Sequence, residues 1–313
     1  MTALLDIEGL RVDMRGGAQI LDGVSITVAP GQIMGVVGES GCGKSTLLRA
    51  MLGILPRGAT ARGRVMFEGR DILPDQAAQA RGRIGFVPQD PYLSLNPTFR
   101  AGDQIFEIMR RHATGTRADH RAKLLDLLRA VQLPDPEAAL RKYPHEFSGG
   151  QRQRLLIAAA LSCEPSLVVA DEPTTALDVT TQREILGLLR EIARARGLSM
   201  LFVTHDFGVL ASLCDAVTVL YAGRVAEAGP TRAVLDAPTH PYTRLLLACH
   251  PDRAVELAGI PGTVPPATAQ PSGCRFHPRC PQAQAHCADA VPPLLAITEG
   301  RSLACAHPEP ALV

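Results

Sequence analysis

Apolar and polar positions alternate at residues 5–7, 10–12 and 24–28, with glycines between the runs, which predicts short strands at the start of the chain. Residues 32–37 form a compact apolar run with β-branched members and lead straight into a cluster of glycines. Residues 46–55 then take up helical spacing and stop at Pro56. Two more strand-like stretches follow at 64–68 and 83–87. From about Thr98 to Leu140 the pattern is helical: Leu124, Leu125, Leu128 and Val131 make one apolar stripe, with Lys123, Asp126 and Arg129 facing away. This predicts a helical insertion between two halves of an α/β core. A helix at 155–161, a strand at 167–170, a helix at 181–196 and a strand at 200–203 continue the chain, and such alternation predicts a mainly parallel sheet. Beyond about residue 237 proline becomes dense and the helical period is lost, apart from one short helix expected at 242–248. The end of the chain therefore reads as a small, irregular appended domain.

Composition narrows the classes of function. The chain of 313 residues is long enough for one large α/β domain and an appendage. A formal charge of +1, aromatics at 4% and no tryptophan give neither the field nor the stacking platforms of a nucleic-acid binder. No run approaches the roughly 18 consecutive apolar residues of a membrane span, and the first residues carry acids where a secretion signal would carry bases. The expectation is a cytoplasmic globular protein.

The chemistry is concentrated in a few segments. Gly38-Glu39-Ser40-Gly41-Cys42-Gly43-Lys44-Ser45 fits G-x-x-x-x-G-K-[ST] without a mismatch, followed by Thr46. Glycines let successive backbone N–H groups turn inward around phosphates, and the following helix presents its positive end. In such a loop Lys44 reaches the β- and γ-phosphates and the Ser45 hydroxyl ligates Mg²⁺. The apolar strand at 167–170 delivers Asp171 and Glu172 to its C-terminal end. Asp171 suits the Mg²⁺ shell, and Glu172 suits a base that orients and deprotonates water. Phe147-Ser148-Gly149-Gly150-Gln151 opens a helix whose free N–H groups form a second anion site. Gln89 and His205 each follow a predicted strand, where a polar tip meets a γ-phosphate or its water.

The ordered set of glycine loop, Gln89, residues 147–151, Asp171-Glu172, Ala176-Leu177-Asp178 and His205 resembles the nucleotide-binding subunit of an ABC transporter over about residues 4–235. That resemblance implies a P-loop α/β fold with a helical subdomain near 98–163. It also implies a dimer, homo- or hetero-, with two ATP molecules sandwiched at its interface. Ser148, Gly149, Gly150 and Gln151 would then meet the ATP held by the opposite Lys44. Asp178 would lie at the seam, His205 would sense the γ-phosphate, and Gln89 would join the Mg²⁺ shell and link it to a membrane partner. Gln89-Asp90-Pro91-Tyr92-Leu93-Ser94-Leu95-Asn96-Pro97, His240-Pro241-Tyr242-Thr243, Ile260-Pro261-Gly262 and the segment from Gly273 to Pro281 are similar to the ATPases of oligopeptide, dipeptide and nickel importers. The resemblance implies ATP hydrolysis at the cytoplasmic face of the inner membrane, two integral membrane permease subunits and an external solute-binding protein. Nickel or another small solute is an alternative cargo, and a soluble ABC ATPase without membrane partners is an alternative class. The family usually stacks an aromatic on adenine, whereas Val12-Asp13-Met14-Arg15-Gly16-Gly17 offers only Met14 or Arg15.

Eight cysteines complete the picture. Cys42, Cys163, Cys214 and Cys249 are scattered, but Cys274, Cys280, Cys287 and Cys305 cluster with the spacing C-x5-C-x6-C-x17-C across residues 236–313. Four thiolates suit tetrahedral Zn²⁺ or a [4Fe–4S] cluster, and four unliganded thiols are the plain alternative. The wide loops and the resemblance to peptide-importer tails favour the cluster, acting as a staple for a segment with little core.

Overall fold

The computed structural model describes residues 3–73, 80–249, 259–298 and 300–308. The chain divides into two compact units, Met1–Ala78 with Val203–Val313, and Gln79–Phe202.

In the first unit, β1 (Leu5–Met14) pairs antiparallel with β2 (Gln19–Val28) and with β4 (Ala59–Phe67), and β4 pairs with the short β5 (Arg70–Asp71). The two runs predicted at 5–7 and 10–12 are one strand. Its register shifts near Gly9, which sits at φ 57°, so the polar Glu8 and Gly9 interrupt the alternation without ending the pairing. The apolar run becomes β3 (Ile33–Val37), buried at every position, as a strand covered on both faces must be. Helix α1 (Lys44–Met51) begins two residues earlier than the sequence pattern suggests and stops at Leu52, ahead of Gly53 at φ 64°.

The second unit holds β6 (Ile84–Val87) parallel to β7 (Leu167–Asp171), with β8 (Ser199–Val203) on the other side of β7. Between them lie α2 (Ala101–His112), α3 (Arg117–Ala130), α4 (Pro136–Ala139) and α5 (Gly149–Leu161), which is the expected helical insertion. Thr116 and Asp119 close a capping box on α3, and its apolar stripe buries Leu124, Leu125, Leu128 and Val131. Lys123, read as facing away, is half-buried and pairs with Glu164 at 3.1 Å. Helix α6 (Val179–Arg196) ends on Gly197 at φ 59°, a left-handed C-cap.

Returning to the first unit, α7 (Phe207–Leu213), β9 (Ala216–Tyr221), β10 (Arg224–Pro230), α8 (Thr231–Asp236) and α9 (Pro241–Ala248) follow. The tail ends in the hairpin β11 (Leu295–Thr298) and β12 (Arg301–Leu303). Strand β9 lies parallel to β3, but β10 is antiparallel to β9, β12 to β10, and β11 to β12. The pairs β6–β7 and β3–β9 are parallel, as the alternation of strands and helices predicts, and the antiparallel additions β10, β12 and β11 extend the latter into a mixed arrangement. Two tight reversals, at Ala222-Gly223 and at Gly300, need no helical crossover.

Nor is the tail a separate compact unit: β12 extends the sheet that carries β3. Its Arg301 reaches Glu227, whose side chain is fully buried, at 2.6 Å. Glu227 also accepts from the backbone N–H groups of Thr239 (3.0 Å) and His240 (3.0 Å), while Arg301 donates to the Thr239 hydroxyl (2.6 Å) and the Ala237 carbonyl. A carboxylate stripped of water is tolerable only with such complete neutralisation. Beside it, His240 caps α9 by accepting the Tyr242 N–H on Nδ1 at 3.0 Å. Burial holds His240 down to about 4 from an ordinary 6.5, against the opposing pull of Glu227.

Two outcomes follow from this junction. Replacing Arg301 with Met strands the Glu227 charge and should cost about 3–5 kcal/mol in chemical denaturation. Because His240 is depressed in the folded state, its contribution is complete above pH 6.5 and drains away as pH falls toward 4. The melting midpoint should therefore drop across that window, and His240→Asn, which can still cap the helix, should flatten the drop.

Candidate functional site

The glycine loop lies between β3 and α1. Gly38 is there for space: a Cβ would stand 2.2 Å from the Leu220 carbonyl oxygen and 2.7 Å from Cys42 Sγ. Gly43 N-caps α1 at φ 107°, and a Cβ would meet Leu21 Cδ2 at 2.6 Å. Lys44 is buried and donates to the carbonyls of Gly38 (2.7 Å) and Glu39 (3.2 Å), so its ammonium is held inside the loop. Cys42 is fully buried beside it, and burial pushes that thiol up. Ser45 and Thr46 are half-buried at the start of α1. His205 follows β8 and is exposed; Asp206 caps α7 through the N–H groups of Gly208 (2.7 Å) and Val209 (3.2 Å).

Glu39 has an unexpected environment. Its backbone N–H donates to the Tyr242 hydroxyl at 2.9 Å. Its carboxylate accepts from Arg279 Nη1 at 2.8 Å and Nη2 at 3.1 Å. Local sequence gives no sign of this pair, because Arg279 lies 240 residues downstream of Glu39.

In the second unit, Asp171 ends β7 and is buried, and Glu172 follows in the left-handed region at φ 44°. Left-handed non-glycine residues also occur at turns such as Ala222, so this conformation marks a tight exit from β7. The Thr175 hydroxyl donates to Glu172 Oε2 at 3.1 Å and helps hold it. Ser148 N-caps α5: its hydroxyl accepts from the Gln151 N–H at 3.3 Å, and Gln151 Oε1 accepts from the Ser148 N–H at 3.2 Å. This capping box leaves the first N–H groups of the helix as an anion site. Gly149 and Gly150 are packing glycines here, for added Cβ atoms would meet the Tyr92 hydroxyl at 3.0 Å and Thr181 Cγ2 at 2.7 Å. Arg152 stacks over the Tyr92 ring at 4.3 Å. Asp178 caps α6 and is held below the usual carboxylate range by the Thr181 backbone and hydroxyl. Gln89 lies exposed beyond β6.

The four tail thiols line one cavity of about 310 Å³, together with His277, His286 and His307. Burial raises the thiols of Cys274, Cys280 and Cys305, and neighbouring thiols raise them further. Among the described residues, the group whose ligand atoms come within 4.8 Å of one another is His286, Cys287 and His307. The two histidines escape a reading based on cysteine spacing alone. Near the other end of the chain, Arg15 hydrogen-bonds the Gly58 carbonyl through its backbone at 2.9 Å, and its side chain packs on Gly58. Met14 closes β1.

Comparison with known proteins is consistent along the chain. Residues 21–175 match the ABC transporter family, and residues 226–287 match the oligopeptide/dipeptide transporter C-terminal region. The probable D,D-dipeptide transport ATP-binding protein DdpD of Escherichia coli is 43% identical, with 99% of this chain and 98% of that protein covered. The oligopeptide transport ATP-binding protein OppD of Salmonella typhimurium is 41% identical, over 97% of this chain and 94% of that one. Among solved structures, cbiO1 from Clostridium perfringens, part of an ABC transporter complex, superposes with a TM-score of 0.65 at 30% identity, covering 75% of this chain and 91% of its own. A dimeric ATP-binding cassette bound to ADP and phosphate gives 0.64 at 26% identity, over 73% and 99%. With the phosphate loop, the capped glycine helix and the strand-end acids each in place, the chain belongs to the ABC transporter ATPases, in the branch that carries the oligopeptide/dipeptide C-terminal region.

Proposed function

We propose that this ATPase drives the import of di- or oligopeptides through separate membrane-spanning subunits. The observation that carries the reading is the pairing of a complete ABC motif set with a tail of the peptide-transporter type. Relatives named for dipeptide and oligopeptide transport support the cargo. No helix among the described residues is long and apolar enough to cross a membrane; relatives named as transport ATP-binding proteins support separate membrane-spanning partners, with this chain seated on them at the cytoplasmic face of the inner membrane.

Residues 38–46 hold the nucleotide phosphates, with Lys44 moving from the loop carbonyls onto the β- and γ-oxygens. Ser45, Asp171 and Gln89 suit the oxygen shell of Mg²⁺. Glu172 takes a proton from water as its oxygen attacks the γ-phosphorus, and the bond to the β–γ bridging oxygen breaks to leave ADP and phosphate. His205 steadies the γ-phosphate. Ser148, Gly149, Gly150 and Gln151 of a second copy, or of a paired ATPase, close over the same nucleotide, and Asp178 lies at that seam. The segment after Gln89 supports docking of a permease helix: Tyr92, Leu93 and Phe99 are exposed, Leu93 at 84%. A neighbouring cavity of about 350 Å³ is lined by Phe86, Leu95, Ile105 and Ile108.

All four tail thiols face one cavity, which supports their acting as one ligand set for a [4Fe–4S] cluster. Cys274, Cys280, Cys287 and Cys305 would hold the cluster, which supplies cross-linking rather than turnover.

Glu172→Gln should lower phosphate release at least about 100-fold while equilibrium ATP binding persists; retained turnover would remove Glu172 from the role of base. Anaerobically purified protein should carry iron and acid-labile sulfide in equal amounts, about four of each per chain. Zinc without iron would overturn the cluster, leaving Zn²⁺ on the same four thiols or on His286, Cys287 and His307.

A further inference from the structure

An anion-binding loop that contains a carboxylate is electrostatically at odds with itself. Glu39 is the second residue of the glycine loop, and the phosphates of a nucleotide would bring several negative charges near its own. Unpaired, that carboxylate repels the ligand the loop is built to hold. In this chain the opposing charge comes from the tail. Arg279 grips Glu39 with both terminal nitrogens, at 2.8 and 3.1 Å, and its side chain is only 5% exposed. Glu39 itself is 24% exposed, so the pair is part-buried and is screened less than a fully exposed one.

The remaining donors of Arg279 are also occupied. Its Nε donates to the Pro261 carbonyl at 2.8 Å, Nη2 to the Ile260 carbonyl at 3.1 Å, and Nη1 to the Tyr221 hydroxyl at 3.3 Å. The Ile260-Pro261-Gly262 element is thus the platform that aims the guanidinium. Gly262 is at φ 77°, and a Cβ there would already stand 3.3 Å from Arg279 Cγ. The same stretch of tail supplies Phe276, which packs against Tyr221 (5.0 Å between ring centroids) and Tyr242 (5.3 Å). Tyr242 in turn accepts the Glu39 N–H.

Resting on the assignment of residues 38–46 as the nucleotide site, we infer that Arg279 is a positioning residue for the phosphate loop. It neutralises Glu39 and draws its carboxylate aside, so that ATP binds tightly only while the tail is closed on the loop. The tail then licenses nucleotide binding, although none of its residues is asked to touch the nucleotide.

The test is equilibrium binding of Mg·ATP to the full chain carrying Glu172→Gln, with circular dichroism and melting midpoint recorded alongside. Arg279→Gln should weaken binding about tenfold, within the usual range of couplings between sites. Arg279→Gln with Glu39→Gln should recover most of the loss caused by Arg279→Gln alone, because the repelling charge is gone. Gly262→Val, which dislodges Arg279 from its platform, should mimic Arg279→Gln and be rescued by Glu39→Gln in the same way. Affinity unchanged in Arg279→Gln, or a double variant no tighter than Arg279→Gln, overturns the inference. Should the parent itself bind no Mg·ATP, the failure lies with the nucleotide-site assignment.

Discussion

The carbonyl oxygen of Leu220 occupies the space that a side chain at residue 38 would need, and much of the first unit is arranged around that contact. Because β9 lies so close to the phosphate loop, the loop can be built only with glycine at its first position. The hairpin from β9 to β10 then makes a second close approach, for a Cβ on Gly223 would meet the Ile20 carbonyl at 2.2 Å. Backbone thus packs on backbone on two sides of the loop. Such contacts are stiff, since no rotamer can relax them, and stiffness is what a cradle of N–H groups needs if its dipoles are to be aimed before the anion arrives.

What could be read from the sequence follows the same logic. The phosphate loop, the acids after β7 and the capped helix start at Ser148 are legible because local chemistry dictates spacing: each is a run of neighbours that must act together. The helical insertion was legible from its period, since Leu124, Leu125 and Leu128 fall on one face of α3. The hairpin of β11 and β12 was not. All four residues of β11 are exposed, and β12 has only three residues, too short a run for its alternation of burial to stand out. Its place is set instead by Arg301 meeting Glu227 across 74 residues. The strands β9 and β10 were missed for a related reason: β9 is buried at nearly every position and β10 runs into Gly229 and Pro230, so neither shows a period of two.

The cysteine-rich region shows where residue spacing stops being informative. Counting cysteines locates the cavity, yet His286 and His307 reach its rim from turns separated by 21 residues. Glu39 is the sharper case. In sequence it is one of the unspecified positions of a glycine loop; in the fold it is the residue through which a distant arginine acts. Positions that a motif leaves free are those a particular branch of a family can use for its own control.

The burial of Glu227 has a consequence for how this architecture is inherited. A gene shortened to end after α8 would still encode every residue of the phosphate loop, the capped glycine helix and the strand-end acids. It would also leave a desolvated carboxylate without Arg301, Thr239 or His240, the groups that make its charge bearable. Descendants that shed the tail must change residue 227 in the same step or beforehand, whereas those that keep it are free to vary its surface. Recombination that swaps tails between lineages meets the same barrier unless the incoming segment brings a matching arginine. A single buried charge thereby ties the appendage to the ATPase over evolutionary time more tightly than any sharing of active-site residues would.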